Sequence, residues 1–71
     1  MENKFIEFDK TLINTKYLGK ISKFKGANAY SGKFGISAVM DGFENLYEWF
    51  DTEYDQELRY HELFHLLTDE Y

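Results

Sequence analysis

The chain has 71 residues, no cysteine and no proline, with 13 carboxylates against eight basic side chains for a net charge of −5. A chain of this length buries only roughly 60% of its unfolded surface, which excludes a deep substrate cleft and favours added support from a metal, a second chain or a partner. The missing cysteines exclude disulfides and thiolate zinc sites, so any metal must be held by nitrogen and oxygen.

The first ten residues, MENKFIEFDK, lack the basic and apolar regions of a signal peptide. No run of 18 apolar residues occurs anywhere in the chain. The expectation is one domain over residues 1–71, cytoplasmic, without a membrane segment. Charge is divided unevenly along it. Residues 1–40 carry seven lysines against Glu2, Glu7 and Asp9, and residues 41–71 carry ten carboxylates against Arg59, so the halves are about +4 and −9. The acidic half argues against direct contact with nucleic acid, whose phosphates need cations, and for a basic protein partner. A solvated helix that only maintains solubility is the simpler alternative.

Phe5–Phe8 and residues 17–24 read as short strands, with residues 9–15 as a polar connection. Residues 25–33 (KGANAYSGK) form a loop, with Tyr30 either exposed at its middle or folded back onto the core. Asp41-Gly42 is a hairpin signal, because a type I′ turn needs positive φ at both central residues. Pairing outward from that turn sets Met40 opposite Phe43, Ala38 opposite Asn45, Ile36 opposite Tyr47 and Phe34 opposite Trp49, which gathers the aromatic side chains on one face. A helix competes for residues 43–50, since Phe43, Leu46, Tyr47 and Phe50 have helical spacing. The hairpin is preferred because it accounts for both flanks of the turn.

The last element is a helix with Thr52 as N-cap and Glu53, Asp55 and Glu57 in its first turns, where the dipole favours negative charge. Tyr60, Leu63, Phe64 and Leu67 make one stripe that packs on the sheet. Tyr54, Leu58, His61 and His65 make a second, free for a metal, a second chain or a partner. The fold expected is α+β: a small antiparallel sheet of three to four strands packed by a C-terminal α-helix.

His61-Glu62-Leu63-Phe64-His65 is an H-E-x-x-H string, whose spacing places two imidazoles one turn apart on one helical face. Glu57 and Asp69 extend it to a ladder of four possible ligands, Glu57, His61, His65 and Asp69. At a rise of 1.5 Å per residue the ladder spans about 18 Å, too far for a single ion. The histidines are therefore expected to act with one ladder carboxylate or with an acid from elsewhere, the other carboxylates orienting the imidazoles. The alternative is that both are surface or helix-packing residues. A zinc peptidase would use Glu62 as general base, but it also needs a third ligand and a cleft for extended substrate, and only residues 66–71 follow the string. No Walker loop, no G-x-S-x-G and no nucleophilic cysteine are present. The expectation is a protein without catalytic activity, with a zinc-dependent hydrolase or a metal-free homodimer as alternatives.

In the acidic stretch over residues 41–57 and the His61 to His65 string, the chain resembles the small, acidic, cysteine-free proteins that phages direct against bacterial defence. It is most similar there to the zinc-binding kind of anti-CRISPR protein that inhibits type II Cas9. The resemblance covers the C-terminal 31 residues, and the lysine-bearing half departs from a pure DNA mimic. It implies stoichiometric binding in the host cytoplasm to a Cas9-type effector, as monomer or homodimer, that blocks DNA loading or activation. The guide and target channel of such an effector is positively charged. The residues expected to meet it are Asp41, Glu44, Glu48, Asp51, Glu53 and Asp55, with structural zinc stiffening the helix behind them.

Overall fold

A computed structural model of the protein describes residues 4–68. The order of elements is β1 (Phe5–Phe8), β2 (Thr11–Asn14), a 3-10 turn (Thr15–Tyr17), β3 (Leu18–Lys25), a second 3-10 turn (Asn28–Tyr30), β4 (Phe34–Met40), β5 (Leu46–Phe50) and α1 (Glu53–Thr68). β1 and β2 form a two-stranded antiparallel hairpin, and β3, β4 and β5 form an antiparallel sheet in that spatial order. The fold is thus α+β, with antiparallel sheets and one C-terminal helix. No described helix is long and apolar enough to cross a membrane.

Residues 9–15 are not the plain connection expected of them. Ile6 and Ile13 pair across the first hairpin, and Phe8 pairs with Thr11, so only Asp9 and Lys10 make the turn. Both adopt left-handed backbone, with φ of 53° and 61°, as a type I′ turn requires. A side chain with a Cβ pays roughly 1–2 kcal/mol in that region. Lys10→Gly should therefore raise stability by about 0.5–1 kcal/mol after the added freedom of the unfolded chain is deducted, moving the melting temperature up by roughly 2–8 °C. Thermal melting followed by circular dichroism checks this, and an unchanged or lower midpoint would contradict it.

The second hairpin differs from expectation by one residue. Phe34 pairs with Phe50, Ile36 with Glu48 and Ala38 with Leu46. Asp41-Gly42 does turn the chain, with Phe43 N–H reaching Met40 O at 3.5 Å. Only Gly42 has positive φ (85°), however, and the connection runs on to Asn45 before β5 begins. Since side chains alternate, this slip moves Tyr47 and Trp49 to the face opposite Ile36, Ala38 and Met40.

The two faces of the sheet consequently have separate roles. On one, Ile36, Ala38 and Met40 join Ile6, Phe8 and Ile13 of the first hairpin and Leu63 of α1 in the buried core, with Leu18, Ile21, Leu46, Phe50, Tyr60 and Leu67 packed around it. Tyr47 and Trp49, expected beneath the helix, are absent from this face, where Ile36, Ala38 and Met40 pack with Phe8 and Phe50 instead. On the other face Tyr30 stacks flat on Trp49, centroids 4.2 Å apart, and Phe24 meets Tyr47 and Trp49 edge-on. Tyr30 is thus exposed, as one of the two alternatives had it, with one ring face stacked on Trp49. Gly35 permits this layer, because a Cβ there would lie 2.6 Å from the Phe24 ring. β3 is the outer strand of the sheet and carries Lys20, Lys23 and Lys25 along its length, while β1 packs beside β5.

Candidate functional site

Helix α1 begins where the sequence indicates: Thr52 Oγ1 accepts the N–H of Asp55 at 3.1 Å. Its buried line is Gln56 and Leu63, with Arg59, Tyr60 and Leu67 half-buried beside them, while Phe64 is exposed rather than packed. Gln56 was not foreseen as a core residue. Its Nε2 donates to the backbone oxygens of Gly35 and Phe24 at 2.7 and 3.1 Å, which pins the helix to the sheet and satisfies a buried amide.

Tyr54, Leu58, His61 and His65 are all exposed. At 100° per residue they fall within about 60° of arc, on the side of the helix opposite Leu63, and the two histidines lie about 6 Å apart along the axis. The helix therefore does present the imidazole pair as a ridge. Glu57, the described carboxylate of the ladder, is engaged away from it. Glu57 accepts a hydrogen bond from Lys23 Nζ at 2.7 Å, which draws its carboxylate toward β3. Glu62 accepts from Arg59 Nη1 at 3.0 Å, and Asp69 lies outside the described residues. Among the described residues no three of His, Cys, Asp and Glu converge as a metal site would require.

The hydrogen bond to Glu57 raises the pKa of Lys23 by favouring its charged form. A raised lysine adds stability that is fully present below its ordinary value near 10.5 and is lost as pH rises through the raised one. The contact between α1 and β3 thus holds throughout the neutral range.

The six carboxylates expected to meet a partner are not one surface. Glu48 turns inward: Arg59 Nε donates to its Oε1 at 2.8 Å and Nη2 to its Oε2 at 3.1 Å, and the Asp9 N–H reaches the same Oε2 at 2.9 Å. This correction follows from the shifted register, which places Glu48 opposite Ile36 on the helix side. The bond with Glu48 raises the Arg59 pKa further above its already high value. Asp51 is paired with Lys33. Asp41 and Glu44 sit on the β4–β5 connection, and Glu53 and Asp55 at the start of α1. All four are exposed, but β5 separates the pairs by about 16 Å of strand.

Beside Asp41 and Glu44 lies a groove that sequence reasoning missed. Phe5, Leu12, Tyr17 and Phe43 form its walls, Ile13, Met40 and Leu46 its floor, and Glu44 its rim, around about 490 Å³ of open space. Leu12 and Phe43 are 68% and 63% exposed, and Phe43 meets the Tyr17 ring edge-on at 5.3 Å. These side chains come from β1, β2, the first 3-10 turn, the end of β4, the β4–β5 connection and the start of β5, and only the docking of the first hairpin against the sheet brings them together. The one local signal was Leu12, which faces outward between paired neighbours. No protein-family profile matches the chain, and no similar protein was found among curated proteins or solved structures.

Proposed function

We propose that this chain is a non-catalytic binding protein that inhibits a nucleic-acid-handling effector by occupying part of its surface. The groove is the observation that carries this reading. Exposed apolar patches on small folded chains are kept small, and a contiguous one with a polar rim is the usual form of a docking surface. The partner it fits offers one or two apolar side chains for the groove, set among basic groups that meet Glu44 and Asp41. Such charges steer encounter and register, while the apolar anchors supply most of the affinity. The acidic half of the chain and its resemblance to anti-CRISPR proteins make a Cas9-type nuclease the effector to test. In this reading zinc on His61 and His65 is structural, and Glu62, held by Arg59, is not used as a base.

The experiment is titration of the protein into a Cas9 DNA-cleavage assay, beside a Leu12→Asp/Phe43→Asp variant. Both substituted positions are largely exposed, so the variant should melt within a few degrees of the parent. The parent should abolish cleavage near one equivalent, and the variant should need at least a hundredfold more. Cleavage unaffected by the parent would sink the inhibitory reading for this effector, and equal inhibition by both would remove the groove from it.

A further inference from the structure

We infer that the ridge of α1 is half of a metal site, completed by the same ridge of a second copy, so that a divalent transition metal ion, zinc above all, joins two chains. The inference rests on the zinc reading given above and adds where the missing ligands come from. Zinc held by protein side chains takes four ligands in a structural site. Among the described residues one chain supplies two, because His61 and His65 are exposed while Glu57 and Glu62 are engaged by Lys23 and Arg59. Among the described residues no third ligand stands near them. Two further imidazoles give the neutral four-nitrogen tetrahedron that suits zinc at roughly 2.0–2.1 Å.

Symmetry makes the second copy the natural donor. In a two-fold antiparallel pairing of α1 centred at the level of Leu63, each His61 lies opposite the partner's His65, and all four rings converge on the axis. An ion with imidazoles on both sides holds the two axes farther apart than the roughly 8–10 Å of directly packed helices, so the ion itself is the central contact. Nothing on the ridge obstructs the approach. Its charged neighbours among the described residues, Glu57 and Glu62, are drawn aside by Lys23 and Arg59, and Leu58 stands one turn before the histidines with 53% of its surface exposed, ready to be covered by the partner's helix near Thr68. There Thr68 has its hydroxyl bonded to Phe64 O at 2.7 Å, which leaves its methyl group for the contact. Each chain carries a net charge of −5, which opposes association, and a shared dication offsets part of that charge at the contact. Association should therefore depend on metal.

Sedimentation velocity with zinc titrated into the full chain tests this, beside a His61→Ala/His65→Ala variant whose fold is verified by circular dichroism. The expected result is a monomer without metal, a doubling of mass that saturates at one zinc per two chains, reversal by EDTA, and a variant that stays monomeric at the same zinc concentration. Uptake of one zinc per chain without a change in mass would overturn the shared site and leave the zinc reading standing. No uptake by the parent would overturn both. A dimer that forms without zinc, or that survives in the variant, would show that the ridge is not a metal half-site.

Discussion

Phe8→Ala should remove roughly a third or more of the stability of the fold, and in warm buffer most of the folded population. Phe8 is fully buried, at the end of β1, in the layer between the first hairpin and Ile36 and Leu63. Truncating a buried phenylalanine costs about 3–5 kcal/mol, from lost transfer energy and from the cavity left behind. A folded chain of this size holds only roughly 4–10 kcal/mol in total. Little can collapse into the space, because the first hairpin has no other large side chain pointing inward besides Ile6 and Ile13. Phe5 on the same strand is the control: it is 52% exposed, and its truncation should cost about 1 kcal/mol or less. Urea unfolding followed by the helical circular-dichroism signal separates the two, and similar losses for both would mean that β1 does not bury the face described.

The second large effect is expected at Arg59. Its guanidinium makes two hydrogen bonds to Glu48, one of 2.6 Å to the backbone oxygen of Glu7 and one to Glu62, and it stands 6.0 Å from the centre of the Phe8 ring. The Arg59 and Glu48 side chains are only 19% and 18% exposed. Arg59→Met keeps the aliphatic stem but leaves a half-buried carboxylate and a carbonyl without their donor. Removing one member of a buried pair costs about 3–5 kcal/mol, and the remaining exposure reduces that to roughly 2–4 here. Adding Glu48→Met should restore part of the loss, since the stranded charge goes with it, although the Asp9 N–H then loses its acceptor. A double-mutant cycle in urea measures the coupling. A cost below about 1 kcal/mol for Arg59→Met would show that the pair is effectively solvated.

These two residues also mark where sequence reasoning reached its limit. Helix α1, its Thr52 cap, β1 and most of β3 were legible because each depends on neighbours in the chain: a hydroxyl three residues before an N–H, or a run of apolar side chains. β2 was not. Its turn uses Asp9 and Lys10 at positive φ with no glycine to announce it, and the short strand shows an exposed leucine where alternation would put a polar group. The register of β4 against β5 was missed by one residue because Asp41-Gly42 suggests a two-residue turn, and nothing local says that three more residues are spent before pairing begins.

That single step decided much of what was read into the site. It sent Glu48 to the inside, where Arg59 holds it, and Tyr47 and Trp49 to the outside, where Tyr30 covers part of the layer. On the helix, the exposed imidazole pair was readable from spacing alone. The commitments of Glu57 and Glu62 were not, because Lys23 lies 34 residues from Glu57 and the orientation of Arg59 is set by Glu48 on the sheet. The groove combines six separate elements and has no signature in any one of them.

The lysines of the N-terminal half find a physical explanation in β3. An outer strand leaves a row of backbone donors and acceptors to which another chain's strand can add, and flanking it with charge is a common defence against fibrous aggregation. Lys20 and Lys25 line that border beside Lys23, which Glu57 engages, so two copies brought together along it would set like charges against each other. On the opposite side of the sheet, β1 stands beside β5. Part of the uneven distribution of charge along the sequence thus lies where it disfavours open-ended addition of strands to β3.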